Sequence, residues 1–133
     1  MSDIPRYTIN RTLVVVRLEQ PFLDWLASVD PTSADLELDE LNEDGDAFLI
    51  PGEEEMDDED GVSKWIENRW EILFEHMLTD WIADEALWPK NRSLKMFRQW
   101  FAIERHSMVW DLCDTPLEIE DWSDENEPQV MLH

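Results

Sequence analysis

The order of apolar and polar residues at the start of the chain predicts a buried strand followed by a helix. Residues 12–18 form a short run rich in β-branched side chains, which is typical of a strand with little exposure to water. Pro21 is suited to the first turn of a helix, and residues 22–29 give that helix a broad apolar side. Because the residue before a proline avoids helical geometry, Asp30-Pro31 is predicted to end the helix.

The next segment alternates leucines with acids and leaves two structures open. The leucines of residues 36–41 fit both a strand and one turn of helix. A turn around Gly45 follows. Residues 47–50 then form a second predicted strand, which ends at Pro51-Gly52.

Helical periodicity is clearest between residues 62 and 82, where it predicts one long helix. At 100° per residue, a set of large apolar side chains shares one face, while Lys64 and Glu71 occupy the opposite face. We therefore expect the apolar face to pack against the sheet. The apolar set consists of Val62, Ile66, Trp70, Leu73, Phe74, Met77 and Trp81.

Residues 84–91 break this pattern, since Pro89 favours an extended conformation for the residue before it. Ser93 can cap a further helix, whose apolar side chains within residues 94–101 point inward. Residues 107–112 then predict a third strand, and the alternative is that the helix continues through them.

These elements predict an α+β protein with the order strand–helix–strand–helix–helix–strand. Such an order is typical of a small three-stranded sheet with helices covering one face. The length of 133 residues predicts a single domain over residues 1–133, and 43% hydrophobic residues are enough to build its core. The prediction adds an acidic loop at about residues 53–60, which is expected to be exposed and to contribute nothing to the core, and an acidic C-terminal tail at about residues 118–133.

Charge changes the picture most. Thirty-three acidic residues stand against ten basic ones, which leaves a net charge of −23. A surface of this sign repels nucleic acid and anionic membranes, and it attracts basic proteins and cations. Residues 18–63 contain no Lys or Arg. Half of the basic residues form a basic strip, which we expect to contact the acidic segments of the protein itself: Lys90, Arg92, Lys95, Arg98 and Arg105.

The sequence favours a cytoplasmic location. Residues 1–11 are polar and lack the apolar run of a secretory signal. No apolar stretch approaches the roughly 18–20 residues that span a bilayer. Cys113 is the single cysteine, which excludes a disulfide within the chain and fits a reducing compartment.

One combination of residues resembles a group of small acidic proteobacterial proteins, some of which carry a loose VacJ-like label. It consists of residues 7–17, Leu87-Trp88-Pro89, Arg92, Phe97, Trp100, Phe101, His106-Ser107-Met108 and Asp111-Leu112. The resemblance covers most of the chain and implies a bacterial cytoplasmic protein, but it carries no catalytic residue over. True VacJ proteins are lipoproteins with a signal peptide and a lipidated cysteine near the N-terminus, so we expect the label not to apply.

Metal binding is not predicted. A calcium-binding EF-hand loop centred on Gly61 would begin with Met56, which does not bind a hard cation. His76, Asp80 and Asp84 are spaced by four residues and would share one side of a continuous helix. Asp84 would then fall within the apolar face, so we expect the helix to end before it and the triad to be broken.

No catalytic residue or cofactor is predicted either. Asp111 and Asp114 flank Cys113, and their charge is expected to raise the pKa of the thiol rather than activate it. Ser107 follows His106 directly, and neighbours on a strand point to opposite faces. The many carboxylates offer pairs everywhere, which makes a pair in the sequence uninformative.

The resulting hypothesis is a non-enzymatic protein that binds a basic partner protein, with neither nucleic acid nor membrane as a direct partner. Trp88 belongs to the predicted contact site if its indole is exposed beside the basic strip; the alternative is that Trp88 caps the core and Arg92 pairs with a local acid. The predicted partner-binding residues are Glu53, Glu54, Glu55, Asp57, Asp58, Glu59, Asp60, Trp88 and Arg92.

Two other functions stay open. The first is mimicry of nucleic acid that blocks a DNA- or RNA-binding protein, which requires carboxylates along an exposed ridge. The second is a small enzyme that uses carboxylates or His106, which requires these groups to converge in a cleft.

Overall fold

The computed structural model describes residues 4–123, which form an α+β fold with five α-helices, a three-stranded antiparallel sheet and a two-stranded ribbon. Residues 9–109 make up one compact unit, and the remaining described residues belong to a second. The elements are β1 (Tyr7–Thr8), β2 (Arg11–Leu18), α1 (Gln20–Val29), α2 (Leu38–Leu41), β3 (Ala47–Pro51), α3 (Glu59–Glu67), α4 (Trp70–Trp81), α5 (Leu94–Trp100), β4 (Phe101–His106) and β5 (Trp110–Asp111), with single 3-10 turns at Pro31–Ser33, Glu54–Met56 and Glu85–Leu87.

The sheet is built around β2, which pairs antiparallel with β3 on one side and β4 on the other. Thr12 lies opposite Ile50 of β3, and Val16 lies opposite Ile103 of β4. Every second residue of β2 is buried, whereas Arg17 is exposed, as expected for a strand with one face on the core. The predicted strands at residues 12–18 and 47–50 and the predicted first helix are confirmed.

Helices supply the other wall of the core, with large aromatic side chains at its centre. Phe74 of α4 contacts Phe97 of α5 and Phe101 of β4, with ring centroids 6.2 and 5.0 Å apart. Phe22 of α1 reaches the same Phe101 ring at 5.7 Å. Offset and edge-on aromatic contacts of this kind add to the stabilisation from buried area alone. The aromatic centre of the core is therefore shared by α1, α4, α5 and the sheet.

The third strand of the sheet is not the one that the sequence predicted. β4 begins at Phe101, directly after α5, and residues 107–112 lie outside the three-stranded sheet. Phe101 has φ −135° and ψ 146° and pairs with Leu18, while its ring stays buried. Because β2 is buried, its backbone N–H and C=O groups need hydrogen-bond partners on both sides. β3 supplies them on one side and residues 101–106 on the other. Trp110–Asp111 instead pairs with Tyr7–Thr8, so the predicted element order is not confirmed.

The predicted helix over residues 62–82 is divided into α3 and α4 at Asn68 and Arg69. Arg69 has φ −123° and ψ 22°, and its N–H donates to the carbonyl of Ile66 rather than to that of Trp65. The Arg69 side chain compensates, because Nη1 donates to the Trp65 carbonyl at 3.0 Å and the guanidinium lies 3.6 Å from the Trp65 ring centroid. The two helices contact different elements, β4 for α3 and α5 for α4.

The undecided segment at residues 36–41 ends in the one-turn helix α2, which a capping box between Glu37 and Glu40 stabilises. Asn42 follows α2 and forms two hydrogen bonds with the backbone of Leu18 at the end of β2. Its Oδ1 accepts from the Leu18 N–H at 2.8 Å, and its Nδ2 donates to the Leu18 carbonyl at 3.0 Å. The Asn42 side-chain amide thus pairs with the Leu18 backbone as a residue of a neighbouring strand would. It holds the following turn, with Asp44 and Asp46, close to β2.

Candidate functional site

The acidic segment, residues 53–60, is a folded part of the structure. Residues Glu54–Met56 form a 3-10 turn, and the Met56 side chain is 3% exposed within the core. The expectation that this segment contributes nothing to the core is therefore wrong at Met56. A buried methionine in the middle of a charged run holds the run against the protein, because its apolar side chain would otherwise contact water.

Two further contacts hold the acidic segment in place. Asp58 is the N-cap of α3, and its Oδ1 accepts a hydrogen bond from the Gly61 N–H at 2.8 Å. Gly61 packs so closely on the Glu55 carbonyl oxygen that a Cβ at this position would overlap it. The seven carboxylates of the segment are nevertheless exposed: Glu53, Glu54, Glu55, Asp57, Asp58, Glu59 and Asp60.

None of these seven carboxylates forms an ion pair with a residue in the described range 4–123. The basic strip pairs elsewhere. Arg98 binds Glu67 in a bidentate manner at 2.7 and 2.8 Å, which lowers the pKa of the Glu67 carboxyl through the hydrogen bond to Arg98. Arg92 lies 3.2 Å from Glu75. Arg98 and Arg92 thus pair with acids of α3 and α4 rather than with the acidic segment.

The acidic tail predicted at residues 118–133 is described only in part. Glu118 and Glu120 are exposed. Residues 124–133 of the predicted tail lie outside the described range.

Trp88 and Arg92 do not form an exposed contact site. Trp88 is 8% exposed, and its Nε1 donates to the Ile82 carbonyl at 2.8 Å. Arg92 lies with its guanidinium 5.7 Å from the Trp88 ring centroid, and its Nη1 donates to the Pro89 carbonyl at 3.0 Å. Trp88 therefore caps the core and Arg92 pairs locally, which is the alternative that the sequence left open.

A second cluster of chemically active side chains joins α4 to the start of β3. His76 Nε2 lies 2.9 Å from Asp46 Oδ2 and 3.8 Å from Asp80 Oδ2. Together these three residues offer one nitrogen and two carboxylate oxygens that all lie within 4.8 Å of one another. Phe48 packs edge-on against the imidazole, with ring centroids 5.3 Å apart, and so orients it.

This cluster stands beside a cleft of about 250 Å³. The lining of the cleft combines apolar side chains of β2, α2 and α4 with three aspartates. The lining residues are Val16, Leu18, Leu41, Asp44, Gly45, Asp46, Met77, Asp80 and Trp81. A cleft of this size admits several water molecules or a small ligand next to the carboxylates.

The two carboxyls of the cluster differ in acidity. Partial burial raises the pKa of Asp80 to about 6, and the hydrogen bond and negative charge of Asp46 act in the same direction. The pKa of Asp46 is lowered, because the hydrogen bond from Asp80 stabilises its ionised form and His76 adds to this effect. The pair therefore holds one proton between them well above the pH at which an isolated aspartate loses it.

The sequence pattern placed two members of this cluster, His76 and Asp80, beside Asp84 and predicted that this triad is broken. α4 ends at Trp81, so Asp84 does not share a helix with His76 and Asp80, as the break in the apolar face predicted. Asp84 instead accepts a hydrogen bond from the Ala86 N–H at 3.0 Å. Asp46 takes the third place from a position thirty residues away from His76. No spacing rule within a helix could indicate it.

The remaining candidates are isolated. The His106 imidazole hydrogen-bonds to one side chain within residues 4–123, that of Glu104, two residues away on β4, at 3.1 Å. Cys113 is exposed, and hydrogen bonding to Thr115 lowers the pKa of its thiol. The expected rise in this pKa is therefore wrong: the charge of Asp111 does raise it, but by less than the hydrogen bonds lower it.

No helix in the described residues is long and apolar enough to cross a membrane. Comparison with models of protein families, with curated proteins and with solved structures finds no match for this chain.

Proposed function

We propose that this protein is a non-enzymatic cytoplasmic protein that binds a basic surface of a partner protein through the acidic segment. The observation that supports this most directly is the combination of seven exposed carboxylates with a folded backbone beneath them. Groups that are already held in place lose less conformational freedom on binding than groups on a mobile loop. Their charges also remain uncompensated by any basic residue in the range 4–123.

The net charge of −23 supports the same function at longer range. A field of one sign accelerates association with a partner of opposite sign and rejects partners of like sign. Trp88 is left out of the proposed surface because it is buried, and Arg92 because it is occupied by Glu75 and Pro89. The proposed interaction is therefore carried by carboxylates and needs no cofactor.

Capture of partners by two charge-matched variants tests this proposal. The segment variant carries Glu53→Gln, Glu54→Gln, Glu55→Gln, Asp57→Asn and Glu59→Gln, and it keeps Asp58 because that side chain caps α3. The control variant removes the same number of charges from exposed acids elsewhere: Asp35→Asn, Glu43→Gln, Glu71→Gln, Glu85→Gln and Glu118→Gln. Immobilised wild-type protein and both variants are exposed to the same lysate, and the retained proteins are identified and quantified.

We expect at least one basic protein that wild type and the control variant retain and the segment variant loses. Its retention should fall steeply with added salt, since exposed charges are screened beyond about 8 Å at physiological ionic strength. Equal losses in the two variants would mean that only total charge matters, and retention that does not depend on salt would remove the electrostatic basis of the proposal.

Mimicry of nucleic acid is the more specific form of this function. If it applies, the retained proteins bind DNA or RNA, and double-stranded DNA displaces them from the acidic segment. Competition with DNA in the same capture experiment separates this form from general binding of basic proteins.

The enzyme alternative has one observation in its favour, which is the meeting of Asp46 and Asp80 at a cleft. His106, the histidine on which that alternative relied, does not line the cleft. The cluster beside the cleft is instead a set of potential metal ligands.

A further inference from the structure

We propose that Asp46, His76 and Asp80 bind one divalent transition-metal ion, such as Zn²⁺, at the edge of the cleft. This site is independent of the acidic segment, because none of its residues belongs to residues 53–60. It combines the His76 nitrogen and an Asp80 oxygen, both from α4, with an oxygen of Asp46, the residue before β3.

The distances are close to those that a bound ion requires. Zinc binds nitrogen at about 2.0–2.1 Å and carboxylate oxygen at about 2.0–2.2 Å, so ligand atoms around a tetrahedral ion lie roughly 3.3 Å apart. Here the imidazole nitrogen lies 2.9 Å from one carboxylate and 3.8 Å from the other. All three ligand atoms lie within 4.8 Å of one another, so the side chains need to close around the ion when it binds.

The backbone supports this arrangement. His76 and Asp80 are four residues apart on α4, which places them one turn apart on the same side of the helix. Asp46 precedes β3, next to the turn that Asn42 ties to β2. Phe48 orients the imidazole from the other side. Secondary structure on both sides therefore limits the movement of the ligands.

The ligand chemistry selects the class of ion. Magnesium and calcium prefer sites made only of oxygen ligands, whereas imidazole favours zinc and its neighbours among the transition metals. Two adjacent carboxylates in a protein of net charge −23 add a strong attraction for a cation. Three protein ligands leave a further coordination position, and the cleft beside Asp46 and Asp80 has room for water or a small ligand there.

Cobalt is a suitable probe, because Co²⁺ accepts the same ligands as Zn²⁺ and its visible absorption reports the coordination. Titration of wild-type protein with Co²⁺ should give saturable absorption bands at one equivalent, and Zn²⁺ should displace them. His76→Gln and Asp46→Asn should each weaken Co²⁺ binding about a hundredfold or more, because loss of a residue that merely supports a ligand already costs 10–100-fold. Both side chains are partly or largely exposed, so folding should persist, and circular dichroism checks it.

His106→Gln is the matched control, since His106 also contacts a carboxylate but belongs to no set of three candidate ligands within residues 4–123. It should bind Co²⁺ like wild type. A Ca²⁺ titration controls for loose condensation of cations on the acidic surface and should not displace Co²⁺ at equal concentration. The proposal is overturned if wild type shows no saturable bands, if His76→Gln leaves them unchanged, or if His106→Gln removes them to the same extent.

Discussion

Side chains complete the backbone hydrogen bonding at several places where regular structure stops. Arg69 donates to the Trp65 carbonyl at the break between α3 and α4. Trp88 donates to the carbonyl of Ile82, the residue that follows α4. Asn42 hydrogen-bonds to Leu18 of β2, beyond the point where the pairing with β3 begins at Ala47. Since a buried backbone group without a partner costs about 1–3 kcal/mol, the partly buried contacts at Ile82 and Leu18 stabilise the places where α4 and the pairing of β2 with β3 end.

The acid–base behaviour of Asp80 gives a prediction about stability and pH in metal-free protein. Its pKa rises from 3.8 to about 6 on folding, so the folded state holds this proton more tightly than the unfolded state does. The resulting stabilisation is complete below about pH 4 and is lost as the pH rises through about 6. Asp46 acts oppositely: its pKa is lowered, so its contribution is present above its ordinary pKa and is lost as the pH falls further.

Asp80→Asn removes the charge but keeps an amide that can donate to Asp46. With a chelator present, we expect this variant to be more stable than wild type at pH 7 and to show less loss of stability between pH 5 and 7. Glu71→Gln on the same helix controls for removal of one negative charge. Denaturation curves across this pH range provide the measurement, and an Asp80→Asn profile parallel to that of wild type would contradict the assigned titration.

At the level of elements, most side chains that the sequence predicted to be buried are buried, even where a helix or strand begins or ends at a residue other than the predicted one. Val62 and Ile66 of α3 and Leu73 and Met77 of α4 are buried, as the apolar periodicity indicated, although the helix is divided between them. The prediction is wrong at Trp81, which was placed on the same face but is 37% exposed at the end of α4. Phe101 was expected to point inward from a helix, and it points inward from a strand. Burial of an apolar side chain is favourable in either backbone conformation.

The junction between the acidic segment and α3 depends on the absence of a side chain at Gly61. Gly61→Ala should be clearly destabilising, by about 1–3 kcal/mol, because the new Cβ overlaps the Glu55 carbonyl oxygen and the backbone must move. Gly45→Ala is the control, since the nearest atoms to a Cβ there lie 3.9 and 4.0 Å away. Urea denaturation compares the two, and similar effects on the free energy of unfolding would mean that the segment does not pack as described.

For the whole molecule, the excess of negative charge opposes the compact state. Self-repulsion of this kind weakens as salt shortens the range of electrostatic forces. Only two arginines of the basic strip form ion pairs with carboxylates in the described range, so most acids are not compensated by contact. The protein thus depends on its apolar and aromatic core to offset the repulsion at its surface.

The melting temperature at pH 7 should therefore rise as salt increases from about 0.01 M to about 0.15 M, over which the Debye length falls from about 30 Å to about 8 Å. The segment variant and the control variant should both show a smaller rise, and to a similar degree, because each removes five negative charges. Thermal denaturation followed by circular dichroism measures this. A melting temperature that does not change with salt would show that local contacts already compensate the carboxylates.

The α+β class, the first helix and the strands at residues 12–18 and 47–50 followed from local patterns, as did the inward faces of α3 and α4 and the acidic surface. Such properties depend on the order of apolar and polar side chains over a few residues, which the sequence contains directly. Three other features required the folded chain: the strand at Phe101–His106, the helix break at Arg69 and the meeting of Asp46 with His76. Each depends on hydrogen bonds or contacts to other elements, and the path of the chain through space decides which distant residues become neighbours.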